Sequence, residues 1–353
     1  MGLDAIIDKC IGSGDLSRDD IVYLLNLDNK QHTDRLLKAA DQVRKSCCGD
    51  DVQIRALVEF SNICTRQCNY CGLRSPNDNV TRYRMPPDEI VDLAARLSEK
   101  GLRTIVMQSG EDPYYTGEII ADIVRRIKSS MDMAVTLCVG ERTYEDYKLW
   151  KEAGADRYLL RHEAANCELY RQLHPDSDYD NRMRCIKWLR ELGYQTGVGC
   201  MVGAPGQSVE HLADDIEFFK DFQPDMIGIG PFIPHPETPY ADILGGTVEM
   251  TLKMVALARI VTRNALLPAT TAIGSIEEMG REMALEAGAD VVMPNYTPLK
   301  YRENYEIYPN KRCISEDPEQ CHSCMRLRIQ AIGRTVSTDY GHSRKNAIKS
   351  EFC

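Results

Sequence analysis

The sequence predicts an α/β fold, a (β/α)8 barrel of the TIM type with an N-terminal helical cap and a C-terminal extension. Three observations carry this expectation. Short β-rich runs recur along the chain, and each is followed by a polar loop and then by apolar residues at helical spacing. Several helical segments also stop at a glycine just before the next run, where an αβ turn places its C′ residue. In order, the runs are IRALVEFSN (54–62), TIVMQSG (104–110), AVTLCVG (134–140), RYLLRHE (157–163), QTGVGCMVG (195–203), MIGIGPFIP (226–234), LPATTAIG (267–274) and ADVVMPNY (289–296). Between them, segments such as PDEIVDLAARLSEKG and YEDYKLWKEAGA carry their apolar residues on one helical face. Eight alternations with short links point to a parallel sheet, closed into a barrel on that count, with an open doubly wound sheet as the alternative. Residues 1–50 read as helices covering one barrel end, 51–296 as the barrel, and 297–353 as an irregular extension.

Composition narrows the function classes. A hydrophobic fraction of 43% supports a sizeable core, and 27% charged residues alongside it argue against disorder. The net charge of −10 leaves no electrostatic footprint for nucleic acid or an anionic membrane. The opening stretch MGLDAIIDKCIGSGDLSRDD has no basic n-region or long apolar h-region, and no 18-residue apolar run follows, so neither a signal peptide nor a membrane span is expected. Fourteen cysteines then point to a reducing compartment, the cytoplasm by default, where clustered cysteines bind metal more often than they pair.

Cys64, Cys68 and Cys71 in CTRQCNYCGLR follow the first run directly. A barrel puts them at the C-terminal mouth, where such folds keep their chemistry. The spacing C-x3-C-x2-C supplies three thiolates, one short of a closed tetrahedral set. It suits a 4Fe–4S cluster with one iron lacking a protein ligand, or a zinc ion with a distant fourth ligand. Plain reduced thiols are the bland alternative, poorly explained on so short and polar a loop. A second set, Cys313, Cys321 and Cys324 in RCISEDPEQCHSCM, has His322 beside it. A zinc site of three cysteines and one histidine is open there, although adjacent Cys321 and His322 strain joint tetrahedral ligation. GVGCMVGAPG lacks dinucleotide-binding spacing, since Val202 stands where the third glycine belongs.

The first cysteine set, with Tyr70 directly before its third member, resembles the radical S-adenosylmethionine (SAM) superfamily. FSNICTRQCNYCGLR, MQSGEDPYY, ADRYLLRHEAAN, GPFIPHPETP, PATTAIG and VVMPNYTPLKYRENYEIYP together resemble the HydE family of FeFe-hydrogenase maturases within it. The resemblance implies a 4Fe–4S cluster on Cys64, Cys68 and Cys71, SAM chelated by the open iron, and a 5′-deoxyadenosyl radical released on reduction. It implies a cysteine-ligated iron carbonyl–cyanide precursor as substrate, with other hydrogenase maturases and an electron donor as partners. By the same resemblance Tyr70 and Ser109-Gly110-Glu111 face SAM, Glu163 and Arg182 engage its ribose and carboxylate region, and Thr136, Met201, Tyr305 and Gln108 line its pocket. Arg161, Thr270, Thr271 and Tyr308 would face the substrate, and Cys313, Cys321 and Cys324 would hold a second, accessory iron–sulfur cluster. Arg157, Leu159, Arg161 and Glu163 would share one strand face at period two. A structural Arg161–Glu163 ion pair is the competing reading, because such charges are costly to bury unpaired. Two rival functions stand beside the first: an amino-acid mutase or sulfur-insertion enzyme on the same scaffold, and a non-enzymatic cluster carrier.

Overall fold

The computed structural model describes residues 2–314 and 318–345, the side chains of 318–322 excepted. Helices α1 (Leu3–Ile11), α2 (Arg18–Leu25) and α3 (Lys30–Cys48) lead into β1 (Asp51–Ile54) and β2 (Ala56–Ser61). Strands and helices then alternate: α4 (Pro87–Glu99), β3 (Thr104–Ser109), α5 (Gly117–Ser130), β4 (Ala134–Cys138), α6 (Tyr144–Glu152) and β5 (Arg157–Leu159). Helices α7 (Cys167–Leu173) and α8 (Tyr179–Glu191) precede β6 (Gln195–Val202), followed by α9 (Val209–Phe222), β7 (Met226–Pro231) and α10 (Val248–Thr262). The chain finishes with α11 (Thr271–Ile276), α12 (Gly280–Glu286), β8 (Val291–Val292), α13 (Leu299–Arg302), α14 (Pro318–Ala331) and β9 (Thr335–Val336).

The molecule is an α/β fold around a parallel sheet. Six strands pair in the order β2-β3-β4-β5-β6-β7, all parallel. Every residue of β2 and β7 is buried, as expected of strands with covered faces and near-continuous apolar sequence. The helices supply that cover. α5 starts where the Thr116 hydroxyl accepts from Ile119 N, and it lays Ile120, Ile123, Val124 and Ile127 against the sheet. Fully burying each of these side chains is worth roughly 1.5–3 kcal/mol. α10 is buried from Thr251 through Thr262 because α1–α3 cover its outer side, and Lys253 Nζ donates to the carbonyls of Leu25 and Leu27.

The register of β2 against β3 breaks between Glu59 and Ser61. This irregularity re-aims the chain as it leaves the sheet for the cysteine loop. The loop returns at Arg84, which bridges back to Ser61. On the other side of β2, Gln53 N, Arg55 N and Leu57 N donate to the carbonyls of Asp290, Val292 and Pro294. Isolated parallel bridges join Met226 to Leu266, Pro268 to Val291 and Leu57 to Asn295.

Three sequence expectations need correction. The run at 267–274 is not a strand: only Leu266 and Pro268 bridge, and α11 begins at Thr271. Pro268 has no N–H for a ladder, and Thr270 is extended at the helix N-cap, a position its residue type favours. Residues beyond 297 are not irregular throughout, since they include α13, α14 and β9, and β9 joins β1 and β8 in a small parallel sheet. The proposed four-residue face of the strand at 157–163 fails too. β5 ends at Leu159, and Glu163 has a positive φ of 63° that breaks the alternation. Among the described residues, no helix is long and apolar enough to cross a membrane.

Candidate functional site

The cysteine loop leaves β2 at one end of the sheet, and its three thiols share one environment. Burial pushes the Cys71 thiol up to about 12, with Cys64 adding to the shift. Burial raises Cys68 well above the ordinary range, with Cys71 and Cys64 next in weight, and burial raises Cys64 as well. Cys68 and Cys71 therefore each lie close enough to Cys64 to feel its charge. Placing soft metal in that space must deprotonate them, since the thiolate is the ligand. Among the described residues, no three His, Cys, Asp or Glu side chains are gathered to hold one metal ion as they stand.

The end of β3 is fitted under this loop. Thr65 donates from its N–H and its hydroxyl to the Glu111 carbonyl, each at 3.2 Å. A Cβ at Gly110 would collide with the Ile63 carbonyl and lie 2.8 Å from Cys64 Cβ. Gly110 is thus required by close approach. Gly110→Ala should push the loop off its seat and destabilise the chain by about 1–3 kcal/mol. Urea unfolding measures the loss, and a change below about 0.3 kcal/mol contradicts the packing. Ser109 turns its hydroxyl onto the Gly110 carbonyl at 2.7 Å.

Tyr70 is held from behind. Its hydroxyl lies 3.0 Å from His174 Nε2, and His174 Nδ1 lies 3.1 Å from the Tyr170 carbonyl. Burial, with Arg182 behind it, holds His174 down at about 3. The ring is therefore neutral, with its proton on Nδ1 toward the carbonyl and Nε2 accepting from Tyr70. Met201 packs beside Tyr70 among Ala164, Leu169, Leu173 and Phe232. Because the folded state resists protonating His174 while the unfolded chain does not, stability present above pH ~6.5 is lost as pH falls toward 3. Between pH 6.5 and 5 this group alone should give a slope of up to about 1.4 kcal/mol per pH unit. Comparing denaturation of His174→Gln with the parent chain isolates it, and equal slopes contradict the assignment.

A charged belt flanks the thiols. Arg66 Nε donates to Glu111 Oε2 at 2.6 Å, and Glu111 Oε1 accepts from Glu141 N at 2.9 Å. Glu141 then takes Arg182 Nε at 2.7 Å and Asn181 Nδ2 at 2.6 Å, while Arg182 Nη1 donates to the Arg161 carbonyl at 2.9 Å. Arg161 Nη2 lies 2.9 Å from Glu163 Oε2 and donates to the Cys200 carbonyl at 2.7 Å. The Arg161–Glu163 approach has ion-pair distance but not hydrogen-bond alignment, so Glu163 Oε2 and Arg161 Nε both remain buried without a hydrogen-bond partner. The competing ion-pair reading thus describes what is present, and polar capacity is left over.

Behind the belt, Gln108 Nε2 donates to the Tyr305 hydroxyl at 3.3 Å. Lys311 Nζ pairs with Glu59 Oε1, and Asn295 Nδ2 donates to Glu59 Oε2 at 2.7 Å. Thr270 Oγ1 is buried with no partner, whereas the Thr271 hydroxyl accepts from Arg281 Nη2 at 3.1 Å. Burial and then Glu59 raise the Tyr308 hydroxyl. Thr136 is not brought to this group. It lies mid-strand, opposite Arg157, whose Nη1 is 3.5 Å from its hydroxyl and whose Nη2 binds the Tyr340 carbonyl of the returning C-terminal segment. Glu141, Arg66, Glu59, Lys311 and His174 went unnoticed in the sequence. Only Glu141 had a signal there, as a carboxylate just past the run at 134–140.

In the second set, Cys313 is half-buried in a left-handed conformation (φ 61°), its carbonyl accepting from Arg302 Nη1 at 3.1 Å. Cys324 is exposed on α14. The side chain of Cys321 lies outside the described residues.

The first site suits an iron–sulfur cluster and SAM on its own chemistry. Three neighbouring thiols offer an incomplete soft donor set, Gly110 lets their loop seat closely on the end of β3, and Arg161 Nε and Glu163 Oε2 are buried without a hydrogen-bond partner. Comparison with known proteins agrees. The family model for the radical SAM superfamily matches residues 58–219. The [FeFe] hydrogenase maturase subunit HydE of Thermotoga maritima is 49% identical over 331 residues, 94% of this chain and 95% of that protein. The chain belongs to the HydE family of radical SAM enzymes. More distant relatives share the fold. The 3-methylornithine synthase of Methanosarcina acetivorans is 28% identical over 94% of this chain and 93% of its own. The crystal structure of methylornithine synthase (PylB) superposes with a TM-score of 0.84 over 98% of this chain and 99% of that one, at 24% identity.

Proposed function

We propose that this chain matures FeFe-hydrogenase, acting on a small cysteine-ligated iron carbonyl–cyanide precursor of the diiron subcluster. The observation that carries the reading is the end-to-end 49% identity with the Thermotoga HydE protein, joined to three thiols at the end of β2. Cys64, Cys68 and Cys71 hold the 4Fe–4S cluster. A reduced cluster held there would supply the one electron that splits bound SAM into methionine and a 5′-deoxyadenosyl radical. The chain's own part is placement and exclusion of water. Tyr70, Gly110, Glu163, Arg182 and Met201 seat the cofactor. Ser109, Glu111, Gln108 and Tyr305 complete its surroundings, Glu111 by anchoring Arg66. Arg161 draws an anionic substrate, and Thr270, Thr271 and Tyr308 line its cavity.

The scaffold in this reading is a (β/α)8 barrel closed through the bridges at Leu266, Pro268 and Asn295. Residues 1–50 cap it, 51–296 form it and 297–353 extend it. Cys313, Cys321 and Cys324 bind an accessory cluster, other maturases and an electron donor are the partners, and the compartment is the cytoplasm. Anaerobically reconstituted protein given dithionite and SAM should release 5′-deoxyadenosine, and it should restore hydrogenase activity in a maturation mixture lacking only this component. SAM cleavage without restoration rejects the maturase role. The likeness to 3-methylornithine synthase across 94% of the chain favours a second reading, and formation of 3-methylornithine in the same mixture would establish it.

A further inference from the structure

We infer that Arg82 is the positioning residue of the cysteine loop, closing residues 62–77 into a preformed cradle before any metal arrives. All four of its Nη hydrogen bonds go to backbone carbonyls of that loop. Nη1 donates to Asn62 O at 2.8 Å and to Leu73 O at 2.9 Å, and Nη2 donates to Arg74 O at 2.8 Å and to Asn77 O at 3.0 Å. Asn62 lies two residues before Cys64, and Leu73 lies two residues after Cys71. One planar guanidinium therefore ties the start of the loop to its end, with the three cysteines between.

The tie is reciprocal. The Asn62 carboxamide brackets Arg82, its Oδ1 accepting from Tyr83 N at 2.7 Å and its Nδ2 donating to Thr81 O at 2.8 Å. The same Nδ2 reaches Asn304 O at 2.6 Å, and Asn77 Nδ2 returns to Gly72 O at 2.7 Å. Residues 62–77 contain no helix or strand, so their carbonyls have no ladder and must be satisfied by such side chains or by water. A fork of fixed geometry serves several carbonyls at once. A lysine ammonium gathers its donors on one atom at the end of a flexible stem, so it cannot span carbonyls at both ends of the loop with the same fixed fork. The inference rests on reading Cys64, Cys68 and Cys71 as the ligands, and residues that orient ligands typically affect metal affinity by about 10–100-fold.

The test compares Arg82→Ala and Arg82→Lys with the parent chain. In metal-free protein, amide hydrogen exchange across 62–77 should quicken about tenfold or more in Arg82→Ala, with exchange in β3–β6 unchanged. After reconstitution, iron loss to a chelator should quicken about tenfold or more, and the SAM-induced change in the EPR spectrum of the reduced protein should weaken. Arg82→Lys should fall between the two, and it decides the matter if Arg82→Ala does not fold. Parental exchange and iron retention in both variants overturn the inference. Should the parent chain bind no iron at this loop, the ligand reading fails, while accelerated exchange in metal-free Arg82→Ala still supports the clasp.

Discussion

Replacing Cys68 with alanine should abolish reductive SAM cleavage, by at least about a thousandfold, because the members of a catalytic unit fail together rather than in proportion. Two thiolates cannot retain the arrangement that leaves a single iron open to SAM. The same change should barely touch the fold. Cys68 is only half-buried on a loop, its apolar content is small, and the surrounding strands do not lean on it. The unfolding free energy should stay within about 1 kcal/mol of the parent value. Anaerobic product analysis by chromatography, beside urea unfolding of the metal-free protein, separates the two effects. Retained cleavage would remove Cys68 from the ligand set. Equal loss of cleavage and stability would make it a packing residue.

The second large effect belongs to Lys311→Met. Lys311 and Glu59 are 6% and 1% exposed, and their contact joins the segment after α13 to β2 in the interior of the fold. Removing the ammonium strands the Glu59 carboxylate with Asn295 as its remaining side-chain donor among the described residues. Breaking one side of a buried pair costs about 3–5 kcal/mol, whereas replacing both members is far milder. The double variant Glu59→Gln/Lys311→Met should therefore recover more than half of the loss. Lys311 also sits 5.0 Å over the Tyr305 ring, so the single variant should loosen the Tyr305–Gln108 contact and slow SAM cleavage as well. Urea denaturation of the two singles and the double closes the cycle. An additive result, with no recovery in the double, contradicts a mutual pair.

Much of this architecture was legible in the chain because its strands are buried on both faces. Continuous apolar runs such as TIVMQSG and MIGIGPFIP can hardly be anything else once glycines and helical periodicity bracket them. The thiols were legible because loop ligands come from one short stretch. What escaped depends on partners far apart in sequence. Glu59 and Lys311 are separated by 252 positions, and no local pattern announces that the extension returns to the interior. LPATTAIG misled because threonine serves both strands and helix N-caps, and Pro268 decided between them. The regular face expected from Arg157 to Glu163 assumed that a strand continues. The strand instead ends at Leu159, leaving Arg157 tied to the returning C-terminal segment and the Arg161–Glu163 pair beyond the strand.

In the proposed function, three thiolates after β2 hold a cluster whose open iron grips SAM. Iron analysis joined to EPR, on reconstituted Cys313→Ala/Cys321→Ala/Cys324→Ala protein, tests it most directly because only the first site then remains. About four irons per chain, with a reduced spectrum that changes when SAM is added, is the expected result. Zinc in place of iron, or an iron signal indifferent to SAM, would contradict it.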